Sequence, residues 1–565
     1  MSFSIPFMKR EIARACGEVL GLHVDPEWVE FANPKAGSHL ALPCFRFSKE
    51  LELAPNEIAN KIALTLTVDG VSRVEAQGPY VNFWVESDQL VAGVRTNLES
   101  SLSNKSSLNK TIIVEFLSPN LAKPLSIGHY RNVMQGRAIA LMYQNAGYKV
   151  ITDNHIGDWG TVFGMWVVGF EHFSSDEKLA TGGVEELGRM YIEMRKALKA
   201  EEGSDETPLA DAVQDWLLKL EQKDPKAWDY HARFSDISLE SISKQMSELD
   251  IVFDHNLGES FYVERGKQMV EELLASGDAL RNEDGSVVVP LDEQGVDTPM
   301  LIQKSNGAAL YHTSDIATIE YREKTWNPDL VIYVVGMEQQ FHFKQLFAAN
   351  QKVGWSDAEL IHHWYGLIEE VGEDGKRQKM SSRKSAVYMA DLIELARKRA
   401  REIAPDDLSD DDVNMIAMGA LTFQEFSASH TGNTVFDWDA MFSLHGFSGP
   451  YVQYATVRIK SVLNKAESIP NLPPSSFDWQ AYTEELWVLN KFDGVIDDAT
   501  AEREYHKVAE YAYELARVWN RFYENNPILQ SEGVELDAKL WLAQSIGAHL
   551  ERALNLLGIH IPTKM

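Results

Sequence analysis

The chain has little cysteine, no long apolar run and no concentrated basic stretch. Its two cysteines, Cys16 and Cys44, are too few for a disulfide framework or a cysteine-based metal site, so we expect a reducing compartment. The absence of any run of about eighteen apolar residues argues against a membrane-spanning helix. The first residues are too polar for a signal peptide. We therefore expect a cytoplasmic protein with no membrane partner.

What is present is a large and acidic chain. Its 565 residues are 44% hydrophobic, which is enough for three or four domains with substantial cores. The net charge is −31, from 53 basic and 84 acidic side chains. That balance argues against a protein that coats nucleic acid non-specifically. Any RNA site must therefore be a local basic surface assembled by the fold.

Sequence patterning predicts a multidomain α/β protein. Residues 1–108 look like an α+β domain that ends in a short, serine-rich linker. Residues 109–405 alternate strand-like and helix-like segments, which favours a parallel sheet; strands are predicted at 112–114, 149–151, 330–335 and 363–368. Residues of about 170–250 interrupt this alternation with acidic helical material, interpreted as an insertion with solvated faces. Residues 406–565 are predicted to be mostly helical.

The stretch from Thr111 to Ala140 is the one around which the other motifs are arranged. An apolar, β-branched run predicts a buried strand, and a polar turn follows it. A helical pattern then starts after Ser126, a suitable N-cap. The free N–H groups of a helix N-terminus suit phosphate. Gly128 would let a base or ribose approach closely, and His129 offers a hydrogen-bond donor beside it.

Four phrases carry a resemblance to a known family. SPNLAKPLSIGH, at 118–129, resembles the first signature of class I aminoacyl-tRNA synthetases, and arginyl-tRNA synthetases in particular. KMSSRK, at 379–384, resembles the second class I signature. GPYVNFWV, at 78–85, and GPYVQYATVRI, at 449–459, are similar to parts of that family's N-terminal domain and helical anticodon-binding domain. The resemblance extends over nearly the whole chain.

The resemblance implies a Rossmann-like catalytic domain between a tRNA-contacting α+β domain and an all-α anticodon-binding domain. It implies ATP-dependent activation of L-arginine and transfer of the product to the 3′-terminal ribose of tRNA(Arg). It further implies that activation needs bound tRNA and that the enzyme is a monomer. Mg²⁺ is expected to enter with ATP, without a dedicated protein site.

Family resemblance also assigns residues to the nucleotide site. The expected ATP contacts are Ser126, Gly128, His129, Met380, Ser381 and Ser382. The residues expected to support catalysis by charge stabilisation are His129, Lys123, Lys379, Arg383 and Lys384. Two positions depart from the usual signatures, because Ser126 replaces the first His and Ser382 replaces the second Lys. Many arginyl-tRNA synthetases carry a compensating Lys before the first signature, and Lys123 stands at that position.

The amino-acid site is expected to recognise a guanidinium, which has five donors and no acceptor. Carboxylate and amide oxygens can pair with such a group through charge-assisted bonds. The matching positions in three separate segments are Glu115, Asn120, Tyr311, Asp315 and Gln339. We expect Asp315 and Gln339 to contact the side chain, with Asn120 and Glu115 nearer the α-amino and carboxylate end. Tyr311 and Asp315 are four residues apart, on one face if this segment is helical.

Three further assignments concern RNA and the loop at 153–164. Residues near the start of the C-terminal domain are either core or stack on anticodon bases; they are Tyr451, Gln453, Tyr454 and Arg458. Asp158 in GDWG is interpreted as a residue that fixes its loop rather than as a metal ligand. His155 is interpreted as structural.

Two alternatives remain open from the sequence. One is a class I synthetase for another amino acid, such as cysteine or glutamate. The cysteine enzymes usually bring zinc-ligand cysteines, and a glutamate pocket would need cationic side chains where this chain has Glu115 and Asp315. The other is a non-catalytic RNA-binding relative, suggested by Ser126. An exchange assay between ATP and pyrophosphate separates these alternatives.

Overall fold

The computed structural model describes residues 3–102, 108–121, 123–202, 206–308, 310–371, 376–379 and 388–565. Met380, Ser381, Ser382, Arg383 and Lys384 lie outside these residues, as does the side chain of Lys379. The chain forms two compact units. The first comprises residues 1–105, 443–555 and 560–565, and the second comprises 106–442 and 556–559. The division at 108 and 405 into three functional domains stays a prediction.

The N-terminal region contains α1 (Ile5–Leu20), β1 (Glu30–Phe31), β2 (Leu40–Pro43), α2 (Ser48–Leu51), α3 (Pro55–Thr65), β3 (Val71–Gln77), β4 (Tyr80–Val85) and α4 (Ser87–Leu102). Its antiparallel sheet has the order β1-β2-β4-β3. The Oγ of Ser4 accepts the N–H of Phe7 and caps α1, and Gly21, at φ 72°, ends that helix. This region is the predicted α+β fold.

The strands of the second unit are β5 (Thr111–Glu115), β6 (Lys149–Ile156), β7 (His255–Gly258), β8 (Leu280–Arg281), β9 (Val287–Val289), β10 (Met300–Gln303), β11 (Leu330–Gly336), β12 (Glu359–Tyr365), β13 (Ile368–Val371), β14 (Arg377–Lys379) and β15 (Thr434–Phe436). Its helices are α5 (Ile127–Asn145), α6 (Thr161–Phe173), α7 (Asp176–Glu201), α8 (Pro208–Glu221), α9 (Pro225–Glu248), α10 (Glu259–Ser276), α11 (Tyr311–Trp326), α12 (Gln340–Val353), α13 (Met389–Ile403), α14 (Asp410–Glu425) and α15 (Trp438–Met441).

A parallel five-stranded sheet of order β12-β11-β5-β6-β7 forms the centre of this unit. Ile113 of β5 pairs with Ile151 on one side and Val331 on the other, and all three are buried. A strand covered on both faces must be apolar throughout, which is why it was recognisable in the sequence. The predicted strand at 363–368 is instead two strands, because the chain turns at Gly366, where a Cβ would lie 2.5 Å from the Gly432 carbonyl oxygen.

The predicted helical insertion is present between β6 and β7, as helices α6 to α9. Its buried faces pack through aromatic rings, for example Trp166 against Phe234 at 6.3 Å between centroids. Asp224 is the N-cap of helix α9, and its carboxylate accepts the N–H groups of Lys226 and Ala227. The insertion therefore has a core of its own rather than solvated faces alone.

The C-terminal region is helical, with α16 (Gly449–Asn464), α17 (Thr483–Asn490), α18 (Phe492–Glu502), α19 (His506–Asn525) and α20 (Gly533–Leu556). It packs against the N-terminal region within the first unit. Trp487 stacks on His39 at 4.8 Å, and Asn490 donates to the Leu90 carbonyl at 2.9 Å. A Cβ on Gly93 would lie 2.0 Å from the Asn490 Oδ1, so glycine allows this close approach. None of the helices in the described parts of the chain is long and apolar enough to cross a membrane.

Candidate active site

The candidate site lies where the central strands end. In open parallel sheets, ligands bind outside the carboxyl ends of the strands. Here those ends carry Glu115 on β5, Ile156 on β6, Gly258 on β7 and Gly336 on β11. The segments with Glu115 and Asn120, with Ser126 and with Gln339 follow β5 or β11, whereas Tyr311 and Asp315 lie on α11, which follows β10 of a separate sheet.

Glu115 is buried and already paired with a cation of the chain. Its Oε2 lies 2.5 Å from the Nη2 of Arg322 on α11, and the same guanidinium contacts the Oδ2 of Asp153 at 2.6 Å. The guanidinium of Arg322 and both carboxylates are almost inaccessible to solvent. The pairing holds the ends of β5 and β6 against α11. Glu115 therefore serves mainly as a structural partner of Arg322, although its second oxygen faces the Ser118 hydroxyl at 3.3 Å.

Asp315 has no such cation. Its Oδ2 lies 2.9 Å from the Nε2 of His342, and its Oδ1 lies 3.9 Å from the Nε2 of His155. Burial works against the charged carboxylate, but the hydrogen bond and charge of His342 outweigh it and lower the pKa of Asp315. Among the described residues no Lys or Arg pairs with it. Asp315 thus stays ionised near the N-terminal end of α11.

His155 belongs to this cluster, although the sequence favoured a structural role. The side chain is 9% exposed, and neither ring nitrogen has a hydrogen-bond partner among the described residues. Its ring lies 5.5 Å from that of Tyr262. A buried imidazole with two unused nitrogens beside a carboxylate is a polar group that a ligand can satisfy.

Glu259 is a second acidic residue of the site and was missed from the sequence. It is 8% exposed and is the first residue of α10, directly after β7. Burial, and then the negative charges of Asp315 and Asp158, raise the pKa of Glu259 well above its usual range. Glu259 lines a cavity together with Tyr311 and Ser314 of α11. The signal in the sequence was an acidic residue between a strand end and a helix start.

The loop after β6 is fixed by Asp158, as interpreted from the sequence. Its carboxylate accepts the backbone N–H of Ser260 at 2.8 Å and the Ser260 hydroxyl at 2.5 Å. A Cβ on Gly258 would lie 2.4 Å from this carboxylate. The contact therefore requires glycine at the end of β7, and it holds the neighbouring Glu259 in place.

Asn120, Tyr311 and Gln339 are exposed residues of the three predicted segments. Asn120 forms a parallel bridge with Gly157, at the end of the β6 segment. Tyr311 starts α11 and is 56% exposed. Gln339 is exposed and immediately precedes α12, whose His342 holds Asp315. The fold therefore brings the three predicted segments to one sheet edge.

The first-signature helix starts as predicted, with Ser126 at its N-cap. The Nδ1 of His129 lies 2.9 Å from both the backbone N and the Oγ of Ser126. Because the Ser126 N–H donates to Nδ1, the proton of the neutral ring is on Nε2. Burial lowers the pKa of His129 to about 4, helped by the charge of Lys123. His129 is thus a neutral donor at physiological pH.

Gly128 is not required by packing or by the backbone. A Cβ at this position would meet only the Ser126 Oγ, at 3.6 Å, among the described residues, and its φ is not in the left-handed region. The first turn of α5 therefore presents an open face. This is the space that the sequence interpretation assigned to a base or ribose.

Both ends of the second-signature segment touch the first-signature helix or its cap. Arg131 of α5 donates to the Leu367 carbonyl at 3.1 Å, just before β13, and to the Glu425 carboxylate at 2.9 Å. At the other end, Tyr388 forms an antiparallel bridge with Ser126, and the N–H of Met389 donates to the Leu125 carbonyl at 2.8 Å. Lys379 ends β14 between these anchors.

The predicted RNA-contacting residues divide into two groups. Gln453 is fully buried and donates to the His560 carbonyl at 2.7 Å, so it does not belong to an accessible surface. Tyr454 and Arg458 are partly exposed, with the guanidinium 4.5 Å from the Tyr454 ring and 5.1 Å from the Tyr523 ring. Tyr451 packs against Tyr513 at 5.5 Å.

Three family models match the chain in succession. They are described as "Arginyl tRNA synthetase N terminal domain", over residues 7–85, "tRNA synthetases class I (R), catalytic domain", over 94–438, and "DALR anticodon binding domain", over 452–565. The order agrees with the α+β, parallel-sheet and helical regions described above. The predicted fold class is confirmed.

Individual relatives agree over the whole length. The chain is 32% identical to the arginine–tRNA ligase of Lactococcus lactis subsp. lactis, over 99% of both chains. It is 34% identical to the arginine–tRNA ligase of Exiguobacterium sibiricum, over 99% of this chain and 100% of the relative. The arginyl-tRNA synthetase structure from Thermus thermophilus shares the fold, with a TM-score of 0.79 at 24% identity over 99% of both chains. These matches identify the chain as a member of the arginyl-tRNA synthetase family of class I.

Proposed function

We propose that this protein is an arginine–tRNA ligase that activates L-arginine with ATP and transfers it to the 3′-terminal ribose of tRNA(Arg). The observation that carries the proposal is the pair formed by Asp315 and Glu259. Glu259 follows the end of β7 and Asp315 lies near the start of α11; their charges interact, and neither pairs with a Lys or Arg among the described residues. A guanidinium is the group that satisfies two such carboxylates at once.

The arginine side chain enters between α10 and α11 in this proposal. Asp315 and Glu259 accept its N–H groups, and Tyr311 lies along the planar cation. Asn120 and Gln339 face the α-amino and carboxylate end, which revises the predicted role of Gln339. Glu115 acts through Arg322 by fixing the strand end beneath the ligand. A lysine substrate has fewer N–H donors and would leave some of these acceptors unpaired. A preference for arginine over lysine of about 10⁴ follows from such unpaired groups.

ATP lies against the first turn of α5 in the proposal. The open face at Gly128 admits the adenosine, and the Nε2–H of His129 donates to the nucleotide. The arginine carboxylate attacks the α-phosphorus, pyrophosphate leaves, and cationic groups stabilise the growing phosphoryl charge. Those groups are Lys123 and the second-signature residues Lys379, Arg383 and Lys384, and Met380, Ser381 and Ser382 complete the nucleotide contacts. Mg²⁺ accompanies ATP as part of the substrate.

The tRNA contacts in the C-terminal region are proposed for the partly exposed cluster of Tyr454, Arg458 and Tyr523. Aromatic faces and a guanidinium plane are surfaces on which unstacked bases can lie. Tyr451 remains a candidate beside them. A requirement for tRNA during activation, a monomeric state and a cytoplasmic location remain part of the proposal.

An exchange assay between ATP and radiolabelled pyrophosphate tests the proposal directly. We expect exchange with arginine in the presence of tRNA(Arg), little exchange without tRNA, and none above background with lysine, glutamate or cysteine. Exchange with glutamate or cysteine instead of arginine would identify another class I specificity. No exchange with any amino acid, together with retained tRNA binding, would identify a non-catalytic relative.

A further inference from the structure

Lys123 contacts a tyrosine of the helical insertion. Its Nζ lies 4.4 Å from the centre of the Tyr191 ring on α7. Lys123 itself follows β5 in the loop before the first signature, and its charge lowers the pKa of His129. A helix inserted between β6 and β7 therefore reaches the loop on which the nucleotide site is built.

The contact with Tyr191 leaves the charge and the N–H donors of the Lys123 ammonium available. No carboxylate among the described residues lies within ion-pairing distance of Lys123, although the chain contains 84 acidic side chains. A carboxylate partner would neutralise the ammonium and occupy its donors. An aromatic face attracts the ammonium through its quadrupole and leaves its charge and outward N–H groups available. Tyr191 can therefore orient Lys123 without reducing its ability to bind phosphate.

Two further interactions show which residues lie near Tyr191. Tyr191 influences Tyr311 electrostatically, together with Glu259 and Asp315. Arg195, one turn further along α7, has its Cζ 6.0 Å from the same ring. The Tyr191 ring thus lies near Tyr311 of the predicted arginine pocket and near the cations of Lys123 and Arg195.

We propose that Tyr191 is a positioning residue for adenylate formation, which holds the Lys123 ammonium toward the phosphates of ATP through its aromatic face. The proposal rests on the proposed role of Lys123 in ATP activation. It gives the insertion a function in the chemical step, in addition to its own packing. It also explains how one lysine on a loop can compensate for the Lys missing at Ser382, since an oriented cation loses less freedom when the phosphates bind.

The test compares Tyr191→Phe with Tyr191→Leu in single-turnover formation of arginyl-adenylate, at saturating arginine, ATP and tRNA. Phenylalanine keeps the aromatic face, so we expect a rate within about twofold of the unchanged protein. Leucine removes it, and we expect a rate about tenfold lower, equivalent to about 1.4 kcal/mol. In a Lys123→Ala background, Tyr191→Leu should cause no further loss.

Lys219→Ala is the matched control. Its Nζ lies 4.6 Å from the Trp216 ring in the same insertion, but its charge partners are Asp215, Asp224 and Glu171. We expect an unchanged rate, and thermal unfolding of every variant reports on folding. A wild-type rate for Tyr191→Leu, or an undiminished loss in the Lys123→Ala background, would overturn the positioning role. A wild-type rate for Lys123→Ala alone would instead refute the compensation by Lys123 on which the proposal rests.

Discussion

The site contains two acidic clusters, Glu115 with Asp153 and Asp315 with Glu259. They differ in whether an Arg or Lys of the described residues pairs with them. Glu115 and Asp153 share the guanidinium of Arg322, a residue of the chain itself. Asp315 and Glu259 have histidines and tyrosines around them but no guanidinium or ammonium partner among the described residues. The first cluster shows how this fold binds an arginine side chain with two carboxylates. The proposal assigns comparable acceptors in the second cluster to the arginine substrate.

The comparison explains why two similar acidic residues have opposite protonation behaviour. The carboxylate of Asp315 is held below its usual pKa by His342, so it stays charged and attracts a cation. Burial and the nearby negative charge of Asp315 raise the pKa of Glu259. An incoming guanidinium relieves the repulsion between them. The built-in ion pair therefore fixes the strand ends, whereas Asp315 and Glu259 are the acids that the proposal assigns to arginine binding.

The largest expected effect comes from removing the built-in cation. Arg322→Met leaves Glu115 and Asp153 buried without a counter-charge, which costs about 3–5 kcal/mol. We expect a clearly lower thermal unfolding temperature. Arg265→Met is the matched control, because its ion pairs with Glu320 and Glu272 are partly exposed and contribute about 1 kcal/mol or less. Equal losses in the two variants would mean that the Arg322 network does not stabilise the sheet edge.

Removing the charged acid of the second cluster should affect binding more than folding. Asp315→Ala deletes a carboxylate that the proposal pairs with the substrate guanidinium, a loss of about 2–5 kcal/mol. We expect the KM for arginine in the exchange assay to rise by at least about 30-fold, with a smaller loss of unfolding temperature than in Arg322→Met. An unchanged KM and kcat would remove Asp315 from the pocket.

A smaller effect is expected at the second acid. Glu259→Gln keeps the shape and one acceptor, so the KM for arginine should rise about tenfold, while the unfolding temperature stays the same or rises. The raised pKa of Glu259 also predicts that arginine binding near neutral pH releases a proton from this group. Calorimetry in two buffers of different ionisation enthalpy measures that release. Proton release that is undiminished in Glu259→Gln would contradict the assignment.

The smallest expected effect is a pH dependence of arginine binding. Burial opposes the charged form of His342, but the hydrogen bond and charge of Asp315, with the charge of Glu115, outweigh it and raise the pKa of His342. Its pairing with Asp315 therefore stabilises the fold fully below about pH 6.5 and is lost as pH rises through the raised value. Protonated His342 also competes with arginine for Asp315. The KM for arginine should therefore fall as pH rises through the raised pKa of His342.

The control for this dependence is His342→Gln, which can donate to Asp315 but does not titrate. It should give a shallower profile of KM against pH than the unchanged protein, and the slope that remains reports the proton released by Glu259. The neighbouring His312 and His362 have pKa values lowered to about 4, chiefly by burial, and remain neutral throughout. A profile that is equally steep in His342→Gln would exclude His342 as the titrating group.

Those parts of the site that depend on patterns among neighbouring residues were predictable from the sequence. The buried strand before Glu115, the helix that starts after Ser126 and the four-residue spacing of Tyr311 and Asp315 all follow from short-range patterns. Other features depend on partners far away in the chain. Arg322 is 207 residues from Glu115, and no pattern near Glu115 reveals that its charge is already satisfied.

The same limit explains the assignments that changed. His155 and Glu259 acquire a role because the ends of β6 and β7 bring them near Asp315. For Gln453 the sequence left core packing and anticodon contact open, and the side chain is buried with its amide bonded to the His560 carbonyl. Each outcome depends on which polar atoms are left accessible once distant segments pack, and a sequence pattern does not record that.

The sequence by itself determined the central strands, the turn before α5, the helical insertion and the family, because turn chemistry, hydrophobic periodicity and signature phrases are properties of neighbouring residues. Only the tertiary structure decided which acids already pair with a guanidinium of the chain, that Tyr191 of the insertion reaches Lys123, and that both ends of the chain form one compact unit. The physical reason is that ion pairing and desolvation depend on distance in space, which folding sets for residues far apart in the chain.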